Sequence, residues 1–213
     1  MDRPPISVEE LYYSETDFIV HFFDVAHIAT VVTASSAQAS LWVNQFLYAY
    51  QDDNNTTNTD DPTRFLVGLD VEWKSEIGHE DNPVAVLQLC VDQRCLMFQI
   101  LCCDAIPNAL LNFLSDTRFT FTGSKIHEKV QRLISDYNVR VGNIMEIRTL
   151  LEERAYLRRA ELRLARDILI WKMQNQWSVQ LGNWDEERLS LEQIMYACLV
   201  AFLPFETARR LLG

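Results

Sequence analysis

Two carboxylates, Asp70 and Glu72, lie two residues apart in the otherwise largely apolar stretch FLVGLDVEWK, residues 65–74. Side chains alternate across a β-strand, so residues i and i+2 face the same side. Two like charges on a buried strand repel each other and lose hydration energy. The usual compensation is a divalent cation, which binds hard oxygen ligands. The pair is therefore typical of metal-assisted hydrolysis, in which two cations about 3.5–4 Å apart activate water and stabilise the leaving oxygen.

The elements that position this pair follow from hydrophobic periodicity and turn residues. Strands are predicted at residues 17–23, 27–34, 65–73, 84–91, 95–100 and 119–123. Helices are predicted at residues 35–50, 105–116, 124–137, about 143–157, 159–172 and 190–212, the last opening with Ser190 and Gln193 at capping-box spacing. Strands followed by interleaved helices predict an α/β fold with one mixed sheet.

The polar run QDDNNTTNTDDP, residues 51–62, predicts a flexible surface loop that divides the chain. Residues 1–62 are then an N-terminal leader of two strands, a helix and the loop, which we expect to pack on the main domain. Residues 63–213 form that main domain, because a chain of 213 residues suits one domain with an elaborated edge.

Several segments, in their order along the chain, resemble the DEDDy 3′–5′ exonuclease family, with the closest likeness to its Werner-type and ribonuclease D-type branch. They are VGLDVEWK, FTGSKIHEKVQRLISDY and NWDEERLSLEQIMYACLVAF. The resemblance covers about residues 64–212. It implies a ribonuclease H-like mixed β-sheet flanked by helices, and an active site of four acidic residues and a tyrosine that holds Mg²⁺ or Mn²⁺.

Three residues of this chain match that site. Asp70 and Glu72 fall on the first two acids, and Tyr196 falls on the tyrosine of a Y-x-x-x-D motif. The resemblance assigns these three residues to catalysis, and it assigns Asp70 and Glu72 to the metal if a metal still binds.

The other two acids are replaced. In the segment GSKIHEK, Gly123 and Ile126 match a G-x-x-I-x-x-D pattern, but Lys129 stands where the acid is expected. Four residues after Tyr196, one helical turn on, Val200 stands at the place of the last acid. Valine offers no ligand atom, and lysine replaces a negative charge with a positive one.

An inward-pointing Lys129 could pair with Asp70 or with Glu72 and take the place of the cation. Neighbouring acids offer no rescue, because Glu128 is turned by about 100° around the helix and Asp136 lies two turns farther on. After Val200 the next acid follows Pro204, where we expect the helix to kink or end.

The net charge of −11 disfavours nucleic acid as a partner, because a surface of that sign is repelled by phosphate. Two features point the other way. Arg159, Arg163 and Arg166 share a helical face, and Trp177 lies with two further tryptophans in a segment that could stack bases or anchor a protein. A solvated, charge-balanced arginine face and tryptophans that cover the core are the favoured interpretations.

The N-terminal residues show no signal peptide, and no segment has the roughly 18–20 apolar residues of a membrane span. We therefore expect an intracellular protein, in the nucleus or the cytoplasm, with no membrane partner. Its five cysteines, at positions 90, 95, 102, 103 and 198, should be reduced. Their spacing matches no zinc motif, so buried thiols are predicted.

These observations favour a 3′–5′ exonuclease-like protein that has lost its catalytic metal site and needs no cofactor. Its expected role is regulatory, through a protein partner for which a related exonuclease-like protein and a second copy of this chain are both candidates. One alternative is an active or residually active exonuclease on DNA or RNA that uses Mg²⁺ or Mn²⁺. Another is a nucleic-acid-binding module without hydrolysis.

Overall fold

The computed structural model describes residues 6–22, 26–53, 65–74, 82–154, 179 and 182–213. Eight strands are found in these ranges: β1 Ile6–Glu10, β2 Asp17–Phe22, β3 Ala26–Thr33, β4 Leu66–Glu72, β5 Val86–Val91, β6 Arg94–Phe98, β7 Thr120–Gly123 and β8 Asn143–Glu146. Five helices accompany them: α1 Ser36–Asp53, α2 Asn108–Ser115, α3 Ile126–Tyr137, α4 Ile147–Arg154 and α5 Leu191–Leu212.

All eight strands form one mixed sheet, in the order β1-β2-β3-β6-β5-β4-β7-β8. Strands β4, β5 and β6 are antiparallel neighbours, and β7 and β8 continue the sheet in parallel beyond β4. Every residue of β4 is buried, as the apolar sequence around Asp70 predicts. The predicted α/β architecture, one mixed sheet flanked by helices, is confirmed.

The N-terminal strands extend this sheet instead of forming a separate layer. Strand β3 pairs in parallel with β6, and β2 and β1 follow it as antiparallel neighbours. The sequence did not reveal β1, because Ile6–Glu10 has only three apolar or small residues and is half exposed at the sheet edge. The strands predicted at 17–23 and 27–34 are found as β2 and β3.

One helix prediction needs correction, and another lies outside the described residues. Residues 143–146 are strand β8 and not the start of a helix, because they pair with β7; the helix follows as α4. The helix predicted at 159–172 and most of the loop predicted at 51–62 lie outside the described residues, while residues 51–53 are the last turn of α1.

Helix α5 lies on the sheet and carries part of the candidate site. Its capping box is present as predicted: the Ser190 hydroxyl accepts a hydrogen bond from the Gln193 amide at 3.2 Å. The sequence predicts that the helix kinks or ends at Pro204. The helix does not end there, because α5 continues to Leu212. Packing of the flanking turns against the sheet outweighs the one backbone hydrogen bond that a proline removes.

Gly68 lets α5 approach strand β4. A Cβ atom at this position would lie 2.0 Å from the carbonyl oxygen of Ala201 and 3.0 Å from the Cβ of Phe205. The helix backbone therefore rests directly on the strand that carries Asp70, two residues farther along. A side chain at position 68 would push away the helix that carries Tyr196.

We expect Gly68→Ala to lower the free energy of unfolding by about 3 kcal/mol, at the upper end for overpacking, because a backbone oxygen cannot rotate away. Urea denaturation measures this change. Gly142→Ala is the matched control, since its nearest contact is 3.2 Å and the added methyl should cost less. Equal effects of the two substitutions would contradict a tight contact at Gly68.

Among the described residues, no helix combines the length and the apolar character needed to cross a lipid bilayer.

Candidate functional site

Asp70 and Glu72 lie at the end of β4, in the middle of the sheet, with side chains on the face covered by α5. Asp70 is 0% exposed and Glu72 is 6% exposed. Their neighbours on β5, in register, are Gln88 and Val86. The pair is thus buried on one face as its spacing predicts, and each carboxylate needs a partner within the protein.

Helix α3 presents Lys129 to this face. Strand β7 ends at Gly123, where a Cβ atom would lie 2.5 Å from the Leu69 carbonyl oxygen. The chain then turns through Lys125 in a left-handed conformation, with φ 54°, and enters the helix. The first helical amide, that of Ile126, donates to the Glu146 carboxylate at 3.0 Å. The sequence GSKI therefore fixes the first turn of α3 beside β4.

Lys129 forms an ion pair with Asp70. The ammonium Nζ contacts the carboxylate Oδ1, and the two side chains are 12% and 0% exposed. The same Oδ1 accepts a hydrogen bond from the Val71 amide at 2.7 Å. Of the two pairings left open by the sequence, the structure has the one with Asp70. A lysine ammonium group therefore lies beside Asp70. It comes from the position at which the resemblance implies an acidic metal ligand.

Tyr196 lies against Glu72. Its phenol is 1% exposed and hydrogen-bonds the Glu72 carboxylate. Burial raises the pKa of Tyr196 well above its ordinary value, and the charges of Glu72 and Asp70 raise it further. The tyrosine is therefore a neutral donor at physiological pH. The Trp184 ring packs on it at a centroid distance of 6.0 Å.

Val200 follows Tyr196 by one turn of α5 and is 4% exposed. Position 200 lies on the buried side of the helix, together with Tyr196 and with Ala201, which contacts strand β4. Its surroundings are therefore covered and apolar. An acid here would stand in the core next to β4, whereas a valine makes only van der Waals contacts.

Two further buried polar side chains belong to the neighbourhood. Gln88, opposite Asp70 on β5, is 0% exposed, and neither of its amide atoms has a hydrogen-bond partner among the described residues. The same holds for the second oxygen of Asp70 and for the hydroxyl of Thr122 on β7. Sequence reasoning did not single out Gln88, although a lone amide in the apolar run VAVLQLCV is the same kind of signal as Asp70.

The neighbouring acids considered for rescue are exposed or bind other groups. Glu128 is exposed on α3. The Asp136 carboxylate accepts a hydrogen bond from the Val84 amide at 2.8 Å. Glu206, beyond Val200, binds Arg209 and Arg210 at 2.8 Å and 2.6 Å. None of these acids faces Asp70.

This donor set does not fit a pair of divalent cations. It offers two carboxylates, one of them bonded to an ammonium group and the other to a phenol. At about 4 Å and an effective dielectric near 20, one unit charge repels another by about 4 kcal/mol, and a dication doubles that figure. Lys129 bound to Asp70 and Tyr196 bound to Glu72 form an internal ion-pair cluster. Val200 lies one turn from Tyr196 on the buried side of α5.

The structure gives no information on the other contact candidates. Arg159, Arg163, Arg166 and Trp177, proposed as contacts to nucleic acid or to a partner, lie outside the described residues. The interpretation of tryptophans as core residues is confirmed for Trp184, which is 1% exposed.

Comparison with known proteins finds relatives among the exonucleases. No protein-family model matches the chain. It is 26% identical over 147 residues to Exonuclease 3′-5′ domain-containing protein 2 of Drosophila melanogaster, which covers 68% of this chain and 25% of that protein. A 3′-5′ exonuclease of Arabidopsis thaliana is 25% identical over 150 residues, covering 68% and 52%. The chain thus spans about a quarter and about half of the lengths of these relatives.

Among solved structures, the EXD2 exonuclease domain has 19% sequence identity with a TM-score of 0.49, and covers 86% of this chain and 92% of its own. The same domain soaked in Mn has 20% identity and a TM-score of 0.47, covering 86% and 88%. The resemblance predicted from the sequence is confirmed by the curated relatives: over about two thirds of its length, this chain is similar to 3′–5′ exonuclease domain proteins.

Proposed function

We propose that this exonuclease-like chain is catalytically inactive and acts by binding a protein partner. The observation that carries the proposal is the contact between the Lys129 ammonium and the buried Asp70 carboxylate. A side chain that pairs with a metal ligand inside the core competes with the metal at all times, unlike a surface residue that solvent can displace.

Energetics support the loss of metal binding. To admit a cation, Asp70 would have to release Lys129, whose side chain is only 12% exposed and whose ammonium would remain near the ion. The cost includes both the lost ion pair and the charge repulsion. Val200 and the phenol of Tyr196 supply no compensating negative charge at physiological pH.

The net charge and the exposed tyrosines favour a protein partner over a nucleic acid. The net charge is −11, which opposes nucleic-acid binding. At the tip between β1 and β2, Tyr12 and Tyr13 are 93% and 95% exposed and contact each other edge to face. Exposed tyrosines are enriched in protein interfaces because they bury a large area at a small entropic cost. A related exonuclease-like protein and a second copy of this chain are the partners we favour.

The test of catalytic inactivity is incubation of the purified chain with labelled single-stranded DNA and RNA in the presence of Mn²⁺ or Mg²⁺. We expect no shortening of either substrate. Shortening that disappears in Asp70→Ala would overturn the proposal, because the surviving carboxylate would then be catalytic. Shortening that persists in Asp70→Ala would identify a contaminating nuclease and leave the inactive assignment in agreement with the result.

The partner is tested by size-exclusion chromatography of the chain alone and mixed with an exonuclease-like relative, after nuclease treatment. We expect a complex that survives this treatment and is weakened in Tyr12→Ser/Tyr13→Ser. Tyr48→Ser, at a tyrosine that is 69% exposed on α1, serves as the matched control and should leave the complex unchanged. Binding that occurs only with nucleic acid, and that falls steeply with salt, would favour the nucleic-acid-binding alternative.

A further inference from the structure

Three cysteines that are far apart in sequence meet beneath helix α5. Cys90 and Cys95 stand opposite each other on the antiparallel strands β5 and β6. Cys198 comes from α5, two residues after Tyr196. All three are buried, and their sulfur atoms lie within 4.8 Å of one another. The sequence prediction of buried thiols is right for these three, whereas Cys102 is exposed.

We propose that Cys90, Cys95 and Cys198 form a binding site for a soft, thiophilic cation of the Zn²⁺ or Cu⁺ class. Thiolate sulfur is the protein ligand that selects these ions over harder cations. A Zn–S bond of about 2.3 Å in tetrahedral geometry separates two sulfurs by about 3.8 Å, within the spacing observed. The site is distinct from the Asp70 cluster, and the inference does not rest on the proposed function.

A hydrogen-bond donor lies beside the Cys198 sulfur. The Thr30 hydroxyl, 1% exposed on β3, lies 3.5 Å from the Cys198 sulfur and donates to it. When a cation binds, Thr30 can remain as a neighbouring hydrogen-bond donor that fixes the orientation of this ligand.

Charge balance sets the form of the site. Each thiol that binds as a thiolate gives its proton to solvent. Two thiolates neutralise Zn²⁺ and one neutralises Cu⁺, and a sulfur that keeps its proton stays a neutral neighbour of the ion. A neutral assembly avoids the large cost of a buried net charge. Because α5 closes over the sulfurs, the cation has to enter while the chain folds, and its binding should tie α5 to β5 and β6.

The test uses the full chain, with Cd²⁺ as the spectroscopic probe. Protein refolded from denaturant under reducing conditions with Cd²⁺ should show thiolate-to-cadmium absorption at about one equivalent, and a higher Tm than protein refolded without metal. Elemental analysis of protein purified from cells supplied with zinc and copper should find about one equivalent of one of these ions. Cys198→Ala and Cys90→Ala should remove both signals.

Two matched variants separate this site from other thiols and from the carboxylates. Cys102→Ala, at an exposed cysteine, and Asp70→Asn should both keep the cadmium absorption. Circular dichroism identifies any alanine variant that fails to fold. In that case the cadmium absorption and the metal content of the parent chain test the proposal. The proposal is overturned if the refolded parent shows no thiolate absorption, if folded Cys198→Ala binds as the parent does, or if the purified parent carries a Cys90–Cys95 disulfide.

Discussion

Lys129→Met is expected to lower the free energy of unfolding by about 3–5 kcal/mol, the cost of removing one partner from a buried ion pair. Methionine keeps an unbranched apolar stem, one atom shorter than the lysine side chain, and lacks the ammonium group. Asp70, 0% exposed, would keep its 2.7 Å hydrogen bond from the Val71 amide but lose its cationic partner. Urea denaturation of parent and variant measures the loss, and an unchanged slope shows that the unfolded states are comparable.

Two controls make this result specific. Lys74→Met removes a lysine that lies 3.4 Å from Asp185, where the side chains are 29% and 38% exposed, and such a pair contributes at most about 1 kcal/mol. The double variant Asp70→Asn/Lys129→Met removes both charges together. It should regain most of the free energy of unfolding that Lys129→Met loses. If Lys129→Met changed stability no more than Lys74→Met does, Asp70 would not depend on Lys129, and the central support for the inactive assignment would fail.

Lys129→Asp/Val200→Asp is expected to convert the ion-pair cluster into a metal site. Without metal, the new carboxylates would repel Asp70 and Glu72, so the variant should unfold at lower temperature than the parent. With Mn²⁺ at about 100 times its dissociation constant, binding should restore about 2.7 kcal/mol. Calorimetric titration and the Tm with and without Mn²⁺ measure both effects, and the nuclease assay then shows whether cleavage returns.

Lys129→Asn/Val200→Asn is the matched variant, because asparagine has the size of aspartate without its charge. It should gain neither Mn²⁺ binding nor Mn²⁺-dependent stability, and the parent should gain neither. If the aspartate variant also failed to respond to Mn²⁺, positions 129 and 200 would not face the Asp70 pair closely enough to share an ion. Addition of Asp70→Asn to the aspartate variant should weaken any metal binding that is found.

Much of the fold was predictable because the relevant signals are local. The apolar run FLVGLDVEWK predicts a buried strand whose two carboxylates, two residues apart, lie on one face, and β4 has that form. Ser190 and Gln193 mark the start of α5 by a capping box that involves only four residues. Strand β1 escaped detection because its short, partly exposed sequence is stabilised by pairing with β2, a contact that local periodicity does not contain.

Pairings between distant segments were decided by the tertiary structure alone. The sequence left open whether Lys129 pairs with Asp70 or with Glu72. The close approach of α3 to β4 at Gly123 selected Asp70. The cysteines have no recognisable spacing in the sequence. The packing of α5 against Gly68 brings Cys198 to Cys95 and to Cys90, which is 108 residues away along the chain. The physical reason is that periodicity and capping act over a few residues, while burial of a charge or a thiol depends on which distant surfaces pack together.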